Sequence, residues 1–262
     1  MFKWFFGFNL TIIMKYFIHL AYKGTNYRGW QRQPNSPSIQ AVLEDSIAKM
    51  MGQKINCIPC GRTDAGVHAR HFFCHLVVEN AFDFDPVFRL NKMLPNDICI
   101  YDFLEVSREV HAQHGAISRT YEYFIHTKKD PFLSEISAYY SKKNLDLEKM
   151  KKAAELISEA SDFKAFCKQP DLYKNTQCII SNAEIKQLES KQQIRFRITA
   201  NRFLRGMVRI LVGNILEVGY GKLELHEFEN CLKNGIRPAF FKEAYPQGLY
   251  LTEVKYLEEV FL

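Results

Sequence analysis

Long uncharged apolar runs are missing from this 262-residue chain, and that absence argues against a membrane-embedded protein. The one imitation is the opening stretch, MFKWFFGFNLTIIMKYF. Asn9 and Thr11 interrupt it, no small-residue cleavage site follows, and it falls short of the ~20 residues that a span requires. Residues 1–13 are therefore expected to be an N-terminal extension or a misplaced start, with a strand pattern opening at Met14. A disulfide framework is also missing. The seven cysteines (57, 60, 74, 99, 167, 178, 231) are irregularly spaced and odd in number, which fits a reducing cytoplasm. No segment is of low complexity, and 47% hydrophobic with 24% charged residues excludes disorder, collagen and coiled coil.

Acidic residues are absent from long stretches, and this is the more informative lack. None occurs before Glu44, although Lys3, Lys15, Lys23, Arg28 and Arg32 all fall there. None occurs between Glu189 and Glu217, where Lys191, Arg195, Arg197, Arg202, Arg205 and Arg209 are concentrated. Between Asp45 and Glu79 there is one acid, Asp64, among Lys49, Lys54, Arg62, His68, Arg70, His71 and His75. The net charge of +6 is modest, so it is this clustering that suggests a polyanionic partner.

Periodicity supplies the architecture. KYFIHLA reads as a strand, and Ile39, Val42, Leu43, Ile47 and Met50 mark a helix that stops at Gly52. INCIPC and HFFCHLVVE are β-rich runs joined by GRTDAGVHAR; FDPVFRLNKMLP is a short helix and ICIYDFLEV a strand. The order βαββαβ then recurs in elaborated form. TYEYFIHT and ISAYYSK are strands, residues 145–157 a helix, AEIKQLE with QQIRFRITA a hairpin, then come a long helix from Phe203, another near Glu224, and the strand LYLTEVKYL. An α+β fold is expected, built of two halves, each a mainly antiparallel sheet with helices on one face. The halves are residues 14–110 and 111–262, with polar residues gathering at 107–116.

Each basic window has a competing reading. In AYKGTNYRGWQRQ, Tyr22, Tyr27 and Trp30 interleave with Lys23, Arg28 and Arg32, the composition of an RNA-binding loop or of a glycine-containing turn closing a core. Period 2 puts Arg195 and Arg197 on one strand face, and helical spacing puts Arg202, Arg205 and Arg209 on one stripe, either a phosphate-binding surface or a solvated face. Asp64 either hydrogen-bonds its own turn or serves as a charged nucleophile or base beside Arg62 and within reach of Arg209. CIPCG with His68, His71, Cys74 and His75 offers the ligand types of a zinc knuckle, but no second CxxC follows, and a strand would point Cys57 and Cys60 to opposite faces. No metal is expected.

The segment CGRTDAGVHA resembles the signature loop of the tRNA pseudouridine synthase A family over nearly its whole length. NYRGWQRQ is similar to that family's YxGWQxQ, NKMLPNDI to its NxxLPxDI, SRTYEYFI to its RxYxY strand, NRFLRGMVRILVG to its long C-terminal helix and GLYL to its closing strand. The likeness spans residues 14–256. It implies two ferredoxin-like halves whose sheets form one continuous surface with a central cleft, and a homodimer acting on the anticodon stem-loop of tRNA, not on DNA. It implies Asp64 as the catalytic carboxylate and Arg62 as the residue that helps to extrude the target nucleotide. Tyr121 would stack on the uracil and serve in proton transfer, and Arg209 would pair with Asp64. Arg28, Trp30, Arg202 and Arg205 are the remaining candidates for RNA contact.

Uridine-to-pseudouridine isomerisation breaks the C1′–N1 bond and remakes the link at C5 with no redox change or energy input, so no cofactor is expected. The atoms concerned are unreachable inside a duplex, which is why a stacking tyrosine and an inserting arginine are wanted. Three departures from the family pattern stand out. Lys23 replaces an acid, Gln113 replaces an arginine in VHAQ, and the bulky IRPAFFKEAYPQ precedes GLYL. The alternatives to an enzyme are a noncatalytic RNA-binding paralogue and a zinc-knuckle RNA-binding module.

Overall fold

A computed structural model describes residues 13–190, 192–238 and 242–261. The expected extension, apart from Ile13, and Lys191 of the second basic window lie outside the described residues. Among the described residues nine strands form one open sheet. They are β1 (Ile13–Tyr22), β2 (Ile58–Pro59), β3 (His68–Glu79), β4 (Ile98–Glu105), β5 (Ser118–His126), β6 (Ala138–Tyr139), β7 (Ile180–Gln187), β8 (Gln193–Ala200) and β9 (Leu249–Lys255). The order is β4-β1-β3-β9-β5-β8-β7, with β2 added to β3 and β6 to β5. Pairing is antiparallel except β3 with β9 and β5 with β6. The last strand therefore closes the seam: β9 pairs His68 and Ala69 of β3 with its Tyr250 and Leu251, and runs antiparallel to β5 on its other edge.

The five helices among the described residues have identifiable starts and stops. In α1 (Ile39–Met51) the Ser38 hydroxyl accepts from the Ala41 N–H, and Gly52 ends the helix at φ 71°. Asp85 caps α2 (Pro86–Met93), Asp146 caps α3 (Leu147–Glu159), and Glu224 with Glu227 forms a capping box on α5 (Leu225–Asn234). The helix read as starting at Phe203 starts later, as α4 (Met207–Gly219), because Gly206 at φ 73° turns the chain in front of it. Arg202 and Arg205 thus lie on the loop before α4, and the expected helical stripe of three arginines does not form. ISAYYSK contributes only the two-residue β6.

Two apolar clusters fill the fold. One gathers β1, β3, β4 and α1 around Ile18, Leu20, Trp30, Leu43 and Phe72; the other gathers β5, β8 and α3 to α5 around Tyr123, Phe166, Phe196, Leu211 and Phe228. Tyr121 of β5 packs against both. Among the described residues no helix is long and apolar enough to cross a membrane.

Candidate active site

The segment between β2 and β3 carries GRTDAG, and it is clamped from beneath by the first glycine-rich loop. The Trp30 N–H donates to Thr63 O at 3.2 Å, the Gly66 N–H to Tyr27 O at 3.2 Å, and the Tyr22 and Thr63 hydroxyls lie 2.8 Å apart. Gly29 sits at φ 91°, and a Cβ there would lie 2.4 Å from Thr63 O, so only glycine permits this approach. Trp30 is fully buried and stacks on Phe72 at 4.3 Å, and Tyr22 and Tyr27 are buried too. The expectation that Trp30 meets RNA is thus corrected, because its ring is the floor under the Asp64 loop. Arg28 and Arg62 are exposed and have no ion-pair partner among the described residues.

Asp64 is about one-third exposed (32%) and accepts from Arg209 Nη1 at 3.3 Å, across a sequence separation of 145 residues. Every residue of α4 is buried except Arg209, whose guanidinium reaches the Asp64 loop. Its Nε donates to Ala244 O at 2.8 Å and its Nη1 also meets Glu243 Oε2 at 2.9 Å. Lys168 Nζ reaches Glu243 Oε1 at 2.6 Å. Tyr121 meets Phe203 edge-on, with centroids 5.0 Å apart. Burial pushes its hydroxyl pKa up, with smaller contributions from the Cys60 thiol and the Asp64 charge, so the phenol stays protonated at neutral pH. The four expected residues therefore separate into Asp64, Arg209 and Tyr121, brought together at the seam between the clusters, and Arg62, exposed on the loop beside them.

Other expectations change. Arg195 pairs with Glu122 and Glu184, and Arg197 with Glu122 and Glu253, so this face of the sheet is a charge-balanced lattice, not a free cationic strip. The acids come from neighbouring strands, which a window along the sequence does not register. Arg205 donates to Gln169 Oε1 at 2.5 Å and Arg202 lies over the Tyr173 ring; neither has an acidic partner among the described residues. Lys23 pairs with Glu135, and Gln113 is exposed, accepting through its backbone carbonyl from Arg119. His68, His71, Cys74 and His75 do not converge. The His68 ring accepts from the Gly24 N–H and donates to Gln247 O, His71 meets His19, and His75 accepts from the Ala112 N–H. Among the described residues no group of three or more His, Cys, Asp or Glu could hold a metal ion. Burial raises the Cys60 thiol to about 11, which keeps it protonated.

Two contributors escaped the sequence reading. Arg119 donates to Cys60 O at 3.0 Å and to Asn201 O at 3.0 Å, tying the start of the Asp64 loop to the end of β8. Its place in SRTYEYFI was a usable signal. Glu243 had none, since it lies in an irregular connection.

The family model described as tRNA pseudouridine synthase matches residues 153–257. A Porphyromonas gingivalis protein named tRNA pseudouridine synthase A is 40% identical over 251 residues, covering 95% of this chain and 99% of that protein. A Bacteroides fragilis protein of the same name is 41% identical over 251 residues, with 95% and 99% coverage. One from Caldicellulosiruptor bescii is 38% identical over 239 residues, covering 90% and 97%. The chain belongs to the tRNA pseudouridine synthase family.

Proposed function

We propose that this protein isomerises uridine to pseudouridine in the anticodon stem-loop of tRNA, at the family's positions 38, 39 and 40, with Asp64 as the catalytic carboxylate and no cofactor. The observation that carries the reading is the Asp64–Arg209 pair at 3.3 Å, set beside Tyr121 at the junction of the two clusters. The supporting relatives bear the name of this activity over nearly their full lengths.

The reaction conserves atoms. The C1′–N1 bond breaks, a C5–C1′ bond forms, the proton on C5 leaves and N1 gains one. A carboxylate starts this by adding to C6, by attacking C1′ or by removing a ribose proton, and each route needs an anion directed at the sugar–base junction. Arg209 supplies that direction and offsets the charge. Tyr121 presents a ring for the extruded uracil and a protonated hydroxyl for proton transfer. Arg62, exposed beside Asp64, enters the stem as the nucleotide leaves, while Arg28, Arg202 and Arg205 hold phosphates without reading sequence.

The working unit in this reading is a cytoplasmic homodimer of two-half protomers, residues 14–110 and 111–262 of ferredoxin-like topology, and DNA is not a substrate. Incubating the purified protein with tRNA transcripts and mapping pseudouridine tests the reading. Signal confined to positions 38–40 is expected; signal elsewhere, or none in any transcript, overturns it.

A further inference from the structure

Glu243 lies in IRPAFFKEAYPQ, the connection that departs from the family pattern, and it grips the residue on which Asp64 depends. Arg209 Nη1 is shared by two carboxylates, and the shorter contact, 2.9 Å against 3.3 Å, goes to Glu243. The backbone adds two bonds, Arg209 Nε to Ala244 O at 2.8 Å and the Ala244 N–H to Arg209 O at 2.9 Å. Behind Glu243 stands Lys168 at 2.6 Å, itself packed over Gly206, where a Cβ would lie 2.9 Å from Lys168 Cε. Charge alternates along Asp64, Arg209, Glu243 and Lys168.

We propose that Glu243 is a positioning residue for the reaction. It holds the Arg209 guanidinium in the orientation that Asp64 uses. It also draws off part of the arginine's charge, leaving Asp64 a stronger nucleophile or base than an exclusive pair would. The proposal rests on the assignment of Asp64 as the catalytic carboxylate. The groups facing this set are Lys168 at Glu243, Tyr121 of β5 at Asp64, and Tyr123 of β5 and Tyr140 at Arg209. Burial raises all three hydroxyls, so they stay neutral across the acid range.

Single-turnover rates at saturating enzyme, measured against pH, test this. Glu243→Gln keeps an acceptor for Arg209 and removes the charge. Two carboxylates sharing one nitrogen are within about 6 Å, so losing one charge moves the acid limb to lower pH by roughly half a unit to one unit. Glu243→Ala removes the acceptor as well, and its plateau rate falls a further tenfold or so as Arg209 is released. Affinity for tRNA is not weakened in either variant, since an anion is being removed from an RNA-facing cleft. An unmoved limb in Glu243→Gln, or equal plateaus for the two variants, overturns the proposal. If Asp64→Asn retains activity, the assignment of Asp64 is what has failed. If Asp64→Asn is inactive and both Glu243 variants follow wild type, only the positioning role has failed.

Discussion

Replacing Gly29 by alanine adds a single methyl group more than thirty residues from Asp64 in sequence, yet it should disable the enzyme. The added Cβ would stand 2.4 Å from Thr63 O, 3.1 Å from Asp64 C and 3.2 Å from Ala65 N. An ordinary C···O contact is about 3.4 Å, so the Asp64 loop must retreat by about 1 Å. Alanine at φ 91° adds backbone strain of about 1–2 kcal/mol. The displacement falls where it costs most, because a 1 Å error in a reacting group reduces rate by about 100-fold. The Gly29→Ala single-turnover rate should thus fall by about two orders of magnitude. Urea unfolding should report a loss of about 1–3 kcal/mol, and tRNA affinity should fall far less than the rate, since of the proposed phosphate-holding arginines only Arg28 adjoins Gly29. Wild-type rate in a folded Gly29→Ala protein would refute the claim that this glycine sets the height of the Asp64 loop.

Tyr121→Phe should keep RNA affinity, whereas Tyr121→Leu should lose about 1–3 kcal/mol of binding together with activity; a fully active Leu variant would make Tyr121 a core residue only. Arg202→Gln or Arg205→Gln should weaken all tRNA substrates alike and flatten the slope of log affinity against log salt by a little under ~1, and an unchanged slope would return these arginines to a solvated surface. His68, buried between the Gly24 N–H and Gln247 O, has its pKa lowered by desolvation to about 4, so the native state holds it neutral. Between about 6.5 and about 4 the unfolded chain binds the extra proton, so stability is complete above that window and lost as pH falls through it. His68→Asn should flatten this dependence in denaturant titrations at several pH values, and an unchanged dependence would place the titrating group elsewhere, His75 being the other histidine lowered to about 4.

Local chemistry was legible in the sequence where a single segment carries it. The Gly52 stop, the alternation along β8 and the lone acid in GRTDAG all reappear as expected. Trp30 was misjudged because composition cannot tell an aromatic that floors a loop from one that faces solvent, and its burial depends on Phe72, which is distant in sequence. Arg195 and Arg197 were misjudged for a related reason. Their window lacks acids, but β5, β7 and β9 bring Glu122, Glu184 and Glu253 alongside. The stripe of Arg202, Arg205 and Arg209 failed at Gly206, whose positive φ was not anticipated. Arg209 reaches Asp64 all the same, because it is the one residue of α4 that is not buried and its guanidinium extends to the Asp64 loop.

If the Asp64 carboxylate performs the chemistry, Asp64→Asn abolishes it. The amide keeps the shape of the side chain and loses the charge. Excess enzyme and a tRNA transcript remove binding from the comparison, and pseudouridine is then mapped at single-nucleotide resolution. Intact tRNA affinity and no pseudouridine are expected. Product formed at above about one percent of the wild-type single-turnover rate would contradict this role for Asp64.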